Sequence, residues 1–389
     1  MPAAHRAWAE IDLGAFRANL ALARRIAGRA EVWPVLKANG YGHGARTLAR
    51  TCAAEGVSRL GVGDSGEALE LRDAGVRVPL LVLGTVIDAE VPDLLHHGIE
   101  VGVHSESRVR KLAAAAGRAG VRLGVHLKID TGMARLGVRP EAALRVARAI
   151  AAEPALVLRG LMTHFSSLTG ASDPCTADQL MLFLAGIDEL RAAGIAVPAV
   201  HCANSAALFT GLQPLGDAVR PGLALYGMLP AAAAARSPYA NELQPVLSLR
   251  AQIVFLKDVP AGAPVGYGSL WRAPRPTRLA ILPIGYADGV PWRAGREVGA
   301  RVLVRGCPCP LVGAVSMDYC TVDVTDVPGV ETGAVATLIG RDGAARVDAS
   351  ELAAAAGTSP YELTCSLGSR VRRVYCEAPA PHTAMTAAR

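Results

Sequence analysis

Aromatic side chains are scarce in this chain: 5 Phe, 4 Trp and 8 Tyr among 389 residues. A tyrosine beside glycines or charged residues therefore stands out. Charge of one sign is also lacking. The formal net charge is +6, and the arginines are spread along helical stretches without basic tracts, which argues against a nucleic-acid platform. No apolar run reaches the roughly 20 residues that cross a bilayer. The first eight residues carry no apolar signal region. The 8 cysteines include no C-x-x-C pair, and only Cys307 and Cys309 are close. In a chain this large, that pattern fits a reduced, cytoplasmic protein better than a disulfide framework. No G-x-G-x-x-G is read after a strand, and P-loop and zinc-ligand spacings are absent, so dinucleotide, nucleoside-triphosphate and zinc chemistry are disfavoured and no metal is expected.

What is present is ample core material. Apolar residues make up 51% and charged residues 19%, and the length suits one large α/β barrel plus a smaller domain. Strand-like runs fall at 32–38, 59–63, 79–84, 100–104, 123–130, 158–164, 200–204 and 219–225. Helix-like stretches lie between them, at 45–55, 66–74, 106–118, 141–151 and 179–193, with another at 13–27. Several stop at a glycine, which accepts the left-handed cap. Eight alternations predict a parallel (β/α)8 barrel, with an open doubly wound sheet as the rival. Beyond residue 230 the texture changes. Runs at 247–256, 279–284, 300–304, 321–324 and 334–339 are broken by Pro and Gly and suit a small, mostly antiparallel β-domain, with one helix at 350–356. The expected domains are 1–238 and 239–389.

In a parallel barrel, chemistry collects at the C-terminal ends of the strands. The first strand ends at Lys37, before Asn39-Gly40-Tyr41-Gly42-His43-Gly44. An amine sheltered by Val35 and Leu36 would have a lowered pKa and could form a Schiff base with an aldehyde. The alternative is a surface lysine before a Gly-rich turn. In the fifth strand Lys128 alternates onto the face of His126 and Asp130, so it needs an ion pair with Asp130 or a modification. Arg135 follows it. Later strand ends carry His164, then His201, Asn204 and Ser205, then Arg220, Gly222 and Leu223. Each histidine alone is more often a satisfied core residue than a catalyst. Ser205 and Gly222 fit a phosphate site of the kind barrels build after their last two strands. The second domain adds Gly266-Tyr267-Gly268, Gly285-Tyr286-Ala287-Asp288-Gly289, Ser316-Met317-Asp318 and Pro360-Tyr361-Glu362. Each alone is ordinary turn material.

Taken in order, these motifs resemble the alanine racemase family. The resemblance runs nearly end to end, from Trp8-Ala9-Glu10-Ile11-Asp12-Leu13 through Val35-Leu36-Lys37-Ala38-Asn39-Gly40-Tyr41-Gly42-His43-Gly44 and Asp130-Thr131-Gly132-Met133 to Tyr361-Glu362. It implies a pyridoxal-phosphate enzyme that interconverts L- and D-alanine for peptidoglycan, as a homodimer with shared active sites. Lys37 would carry the cofactor and act as one base, and Tyr267 would be the base on the opposite face. Arg220 would contact the pyridine nitrogen. Tyr41, Ser205, Gly222, Leu223 and Tyr361 would hold the phosphate, with Asn204 beside them. Arg135 and the Met317 backbone would bind the substrate carboxylate. His164 would orient Arg220 and Tyr267, Tyr286 would crowd the entrance, and His201 and Asp318 would support the site. Lys128 would be a carbamate holding Arg135, or an unmodified lysine paired with Asp130.

The chain departs from the family in three places. Ala134 replaces an expected Gly or Asn, Ser166-Ser167-Leu168-Thr169 lacks an acidic residue, and Arg372 replaces a Pro. Three rival readings are weighed. A basic amino-acid decarboxylase typically has a Gly-Gly-Gly phosphate loop, absent here. A pyridoxal-phosphate-binding non-enzyme would have the barrel alone. Broader-specificity racemases, acting for example on serine, tend to be exported.

Overall fold

The computed structural model describes residues 5–214, 216–295 and 299–377. Eight parallel strands form one curled sheet: Glu31–Val32, Leu60–Val62, Leu80–Val82, Glu100–Val103, Leu123–Lys128, Leu156–Met162, Val200–His201 and Ala218–Val219. The last pairs with the first, Val219 opposite Val32. A bridge between Val35 and Gly61 joins the first strand to the second, through Leu36 N–H to Gly61 O and Gly61 N–H to Pro34 O, both 2.8 Å. The sheet therefore closes on itself as a barrel, and the open-sheet alternative falls away.

Leu60–Val62 and Leu80–Val82 are buried at every residue, as expected when side chains fill one face and helices cover the other. Each fully buried Val or Leu contributes about 1.5–3 kcal/mol. The helix Ala143–Ala151 shows why the covering layer forms: it buries Ala143, Val146, Ala147 and Ile150, spaced i, i+3, i+4, i+7. Asp64, Ser105 and Asp173 cap their helices through their side chains.

Three barrel strands are cut to two residues, much shorter than the sequence predicts. The first stops at Val32, the seventh at His201 and the eighth at Val219. Pro221 has no N–H for a ladder, and the chain turns there into the 3-10 helix Leu223–Tyr226. Leu13–Ala27 forms the expected helix.

The second unit is mostly antiparallel. Its larger sheet runs Cys307–Pro310, Arg301–Val304, Val335–Asp342, Leu247–Gln252, Ala7–Asp12 and Arg372–Cys376, with Ala345–Val347 on the side of Val335–Asp342. Only Ala7–Asp12 and Arg372–Cys376 pair in parallel. A smaller sheet holds Phe255–Val259, Thr277–Leu282 and Cys320–Asp323. The single run expected over 247–256 is thus two strands in different sheets. Val254 N–H bonds to Ile281 O of the smaller sheet, whereas Gln252 pairs with Val335 of the larger.

Where the sequence reading puts one cut between 238 and 239, the contacts divide the chain differently. One compact unit holds Arg17–Gly40 and Gly44–Gln244. The other holds the segment ending at Phe16, Tyr41–His43 and the chain from Pro245 onward. Among the described residues, no helix is long and apolar enough to cross a membrane.

Candidate active site

Lys37 leads the segment Lys37–Tyr41, where the backbone turns left-handed: φ is 53 at Ala38, 52 at Asn39, 62 at Gly40 and 50 at Tyr41. For residues with a Cβ this conformation costs on the order of 1–2 kcal/mol each, so tethers must hold it. Gly40 N–H donates to Leu36 O at 2.7 Å and Gly44 N–H to Asn39 O at 2.8 Å. Ala45 N–H donates to Asn39 Oδ1 at 2.9 Å. A Cβ at Gly40 would stand 3.1 Å from Leu48 Cδ1, so the turn is packed down as well as bonded. Lys37 itself is exposed at the C-terminal end of the barrel.

The second strand enters Gly61-Val62-Gly63-Asp64-Ser65-Gly66, a run that spells the dinucleotide fingerprint and corrects the sequence reading that none follows a strand. The Gly63 N–H is already taken by the Glu67 carboxylate at 2.7 Å. An anion fixed there repels a phosphate, so the run is a tight strand-to-helix joint and not a nucleotide cradle.

Arg220, just past the eighth strand, is buried, and both of its terminal nitrogens are engaged. Its Nη1 donates to His201 O at 2.5 Å and to His201 Nδ1 at 2.8 Å. Its Nη2 donates to Thr163 O at 2.6 Å and Cys202 O at 3.3 Å. Burial pulls its pKa down to about 10, yet it stays cationic near neutral pH. Because a guanidinium only donates, His201 Nδ1 must accept. The proton of neutral His201 then sits on Nε2 and points at His126 Nδ1, 2.9 Å away. His126 in turn donates from Nε2 to Glu100 Oε2 at 3.0 Å. Burial lowers the pKa of both imidazoles; Arg220 adds to this at His201, and Glu100 opposes it at His126. Burial acts to raise the Glu100 pKa, but the hydrogen bond and charge of His126 and the Arg59 guanidinium hold it below the usual carboxylate range. The ring of Trp33 lies 4.7 Å from that of His201. The result is a directional relay, Arg220 to His201 to His126 to Glu100, that fixes both tautomers.

Around His164 the site is electropositive. Burial and the charges of Arg220, Lys128, Arg135 and Lys37, in that order, push its pKa well below the ordinary value, so the ring is neutral. Lys128, buried at the end of the fifth strand, has a pKa lowered to about 8 by burial, then by Arg220, Arg135 and Lys37, with Asp130 opposing. No ion pair joins Lys128 to Asp130 among the described residues. Asp130 Oδ1 instead accepts the N–H groups of Gly132, Met133 and Ala134 at 3.1, 2.9 and 3.1 Å, folding the loop that presents Arg135. Buried Gln179 couples that loop to the next. It donates to Thr131 Oγ1 and His164 O, and accepts from Ser166 N–H.

Ser205 Oγ accepts from Gly222 N–H at 3.0 Å and Ala224 N–H at 3.2 Å. Asn204 Oδ1 caps the following turn through Ala207 N–H, and its Nδ2 donates to Phe165 O. These bonds bring the loops after the sixth, seventh and eighth strands together, with Leu223 buried beside Gly222. The expected barrel residues Lys37, Lys128, Arg135, His164, His201, Asn204, Ser205, Arg220, Gly222 and Leu223 thus share one unit.

The remaining expected residues lie on the β-rich unit. Tyr267 is 78% exposed, and Met317 and Tyr286 are exposed too. The Tyr286 and Ala287 N–H groups donate to Ser316 O and Met317 O, both at 3.1 Å, which ties the Tyr286 turn to the Met317 loop. Arg370 clasps the pair. It bonds both oxygens of Asp288, at 2.8 and 3.0 Å, and Asp318 Oδ1 at 2.8 Å. Tyr361 stands in the helix Pro360–Cys365. Gly42, next to Tyr41, accepts from Arg373 Nε at 2.9 Å, and a Cβ there would meet Thr364 O at 1.9 Å.

Glu67, Glu100, Gln179 and Arg370 were not picked out from the sequence. The only signal was local for Glu67, which stands third after a capping Asp64 in the capping-box spacing.

Residues 11–230 match the family model for the alanine racemase N-terminal domain, and residues 246–375 match that for the C-terminal domain. The chain belongs to the alanine racemase family. It is 39% identical to the alanine racemase of Desulfovibrio desulfuricans over 371 residues, covering 95% of this chain and 98% of that protein. It is 41% identical to that of Treponema pallidum over 357 residues, covering 89% and 93%. Among solved structures, the alanine racemase of Streptomyces lavendulae superposes with a TM-score of 0.90 at 34% identity, over 97% of this chain and 98% of that one. The alanine racemase of Bacillus anthracis with bound L-Ala-P superposes with a TM-score of 0.89 at 31% identity, over 97% and 96%. One family departure has a visible backbone counterpart. Ala134 has φ 54, the left-handed region that favours the Gly or Asn expected there.

Proposed function

We propose that this chain interconverts L-alanine and D-alanine, using pyridoxal phosphate. The observation that carries the reading is the gathering of Lys37, Arg135 and Arg220 around a neutral His164. With Asp130 Oδ1 committed to its own loop, that many cations call for an anionic guest. A phosphorylated aldehyde whose aldehyde carbon accepts an amine fits the donor set. The cofactor, when bound, supplies the electron sink that makes an α-carbon proton removable.

The protein does the rest. Lys37 Nζ holds the cofactor and moves a proton on one face of the substrate, and Tyr267 Oη moves one on the other. Arg220 offers the ring nitrogen a permanent cation, which disfavours protonation there, moderates the sink and limits side reactions. His201 keeps Arg220 aimed, and His164 orients Arg220 and Tyr267. Ser205, Gly222, Leu223, Tyr41 and Tyr361 hold the phosphate, with Asn204 fixing the loop beneath it. Arg135 and the Met317 backbone receive the substrate carboxylate, and Asp318 steadies the Met317 loop. Tyr286 limits the room at the entrance.

With its pKa lowered to about 8, Lys128 is a free amine for a larger fraction of the time than an ordinary lysine, which favours a carbamate: the free amine nitrogen adds to carbon dioxide, one proton leaves to solvent, and the new anion holds Arg135. The exposure of Tyr267, Tyr286 and Met317 supports a homodimer in which the β-rich unit of one copy serves the barrel of the other. No disulfide joins any of the eight cysteines, in keeping with a cytoplasmic enzyme supplying D-alanine for peptidoglycan.

The test is to incubate the purified protein and pyridoxal phosphate with single L-amino acids and score the D-products. Alanine should outpace larger substrates, with serine slow, because one extra group is worth only about 1–3 kcal/mol. Equal rates on alanine, lysine and arginine would favour a broad-specificity racemase. No D-product from any of them would reject the reading.

A further inference from the structure

We infer that Glu67 is the positioning residue for Lys37, a role that rests on Lys37 being the cofactor lysine. Glu67 is the third residue of the helix Ser65–Asp73, and its N–H donates to the capping Asp64 Oδ1 at 2.9 Å. In an ordinary capping box the side chain at this place turns back to the N–H of the capping residue itself. Here it reaches further. Oε2 accepts the Gly63 N–H at 2.7 Å, at the end of the second barrel strand. Oε1 accepts the Ala38 N–H at 2.5 Å, on the peptide joined to the Lys37 carbonyl. One carboxylate thus bridges two strand ends.

The geometry is crowded in a way that supports a specific role. A Cβ at Gly63 would stand 3.1 Å from Glu67 Oε2 and 3.3 Å from Lys37 Cβ. Glycine there lets the carboxylate and the lysine stem stand so close. Ala38 is also the first of the successive left-handed residues that follow Lys37. Strained backbone of this kind persists only where its surroundings over-determine it. The Asn39 and Gly40 bonds hold the far side of the turn, and Glu67 holds the side that carries Lys37. Without the carboxylate, the Ala38 N–H loses a charge-assisted bond, and the direction in which Lys37 leaves the backbone is no longer fixed. Glu67 touches neither substrate nor cofactor in this account; it acts through the lysine.

The test uses the full-length protein with Glu67→Gln, which keeps the size but leaves one oxygen for two N–H groups. Three quantities are read: the rate at which added pyridoxal phosphate is fixed to Lys37 on borohydride reduction, the kcat and KM for L-alanine, and hydrogen exchange at Ala38. The expected result is at least a tenfold slower fixation and a lower kcat, with KM little changed and exchange at Ala38 at least tenfold faster. Wild-type fixation and wild-type kcat in Glu67→Gln would overturn the inference. If Glu67→Gln fails to fold, Glu67→Asp, which draws the charge back by one methylene, is measured instead. Slower fixation supports the inference there, and unchanged fixation overturns it. Borohydride label on another lysine in the unmodified protein would instead overturn the reading of Lys37 itself, and Glu67 with it.

Discussion

Ala134 is held at φ 54 in the loop that presents Arg135, and three N–H groups of that loop converge on Asp130 Oδ1. The loop geometry demands the left-handed conformation whatever residue stands there, so the alanine bears a strain that glycine would not. Ala134→Gly removes the strain but loosens the unfolded chain, and the two effects oppose each other. The first is on the order of 1–2 kcal/mol and the second about 0.4–1 kcal/mol, so a net gain of about 0–1.6 kcal/mol is expected. Denaturant melts of the two proteins check it, and a destabilised Ala134→Gly would contradict the account. Lys37 and His164 were legible as candidate site residues because each stands at the end of a candidate strand, Arg220 because it stands at the start of the eighth, and Lys128 because strand alternation turns it inward; all of these are local properties. Glu100 and Glu67 were not, because their roles depend on partners 26 and 29 residues away. No periodicity encodes such a pairing.

Elements were legible where one chain segment decides its own structure. The helix Ala143–Ala151 follows directly from its apolar spacing. The strand Ala7–Asp12 does not. It exists because Trp8 faces Arg250 and Ile11 faces Leu247 across an antiparallel ladder, and Trp8 faces Arg372 on its other side. The same holds for the break at 253–254, where two sheets compete for one apolar run. Loops show the converse: some glycines are dictated by a neighbour that sequence alone does not place. A Cβ at Gly285 would stand 2.3 Å from both Ser316 O and Met317 O, although its φ of −142 is ordinary extended backbone. Gly285→Ala must therefore push the Met317 loop away from the Tyr286 turn. The expected outcome is a raised KM for L-alanine, at least tenfold, with borohydride fixation of pyridoxal phosphate to Lys37 unchanged. An unaltered KM would mean that the Met317 backbone does not receive the substrate carboxylate.

At the scale of the whole molecule, the barrel unit carries one of the two proposed bases and the β-rich unit the other. Lys37 is anchored by its left-handed turn at a barrel strand end, and Tyr267 stands exposed on the second unit. The alternation of strands and helices made the barrel legible, and the resemblance supplied the pairing of its lysine with a distant tyrosine. Nothing in the spacing of 37 and 267 does so. The account's central claim is that these two residues form one site across two copies of the chain. The most direct measurement mixes purified Lys37→Ala and Tyr267→Ala proteins, each inactive alone, under conditions where subunit exchange is verified. In a symmetric dimer an equal mixture yields heterodimers with one intact and one doubly broken site. The account predicts that racemase activity returns, to about a quarter of the wild-type level if exchange is complete and random. Verified heterodimers with no activity would contradict it.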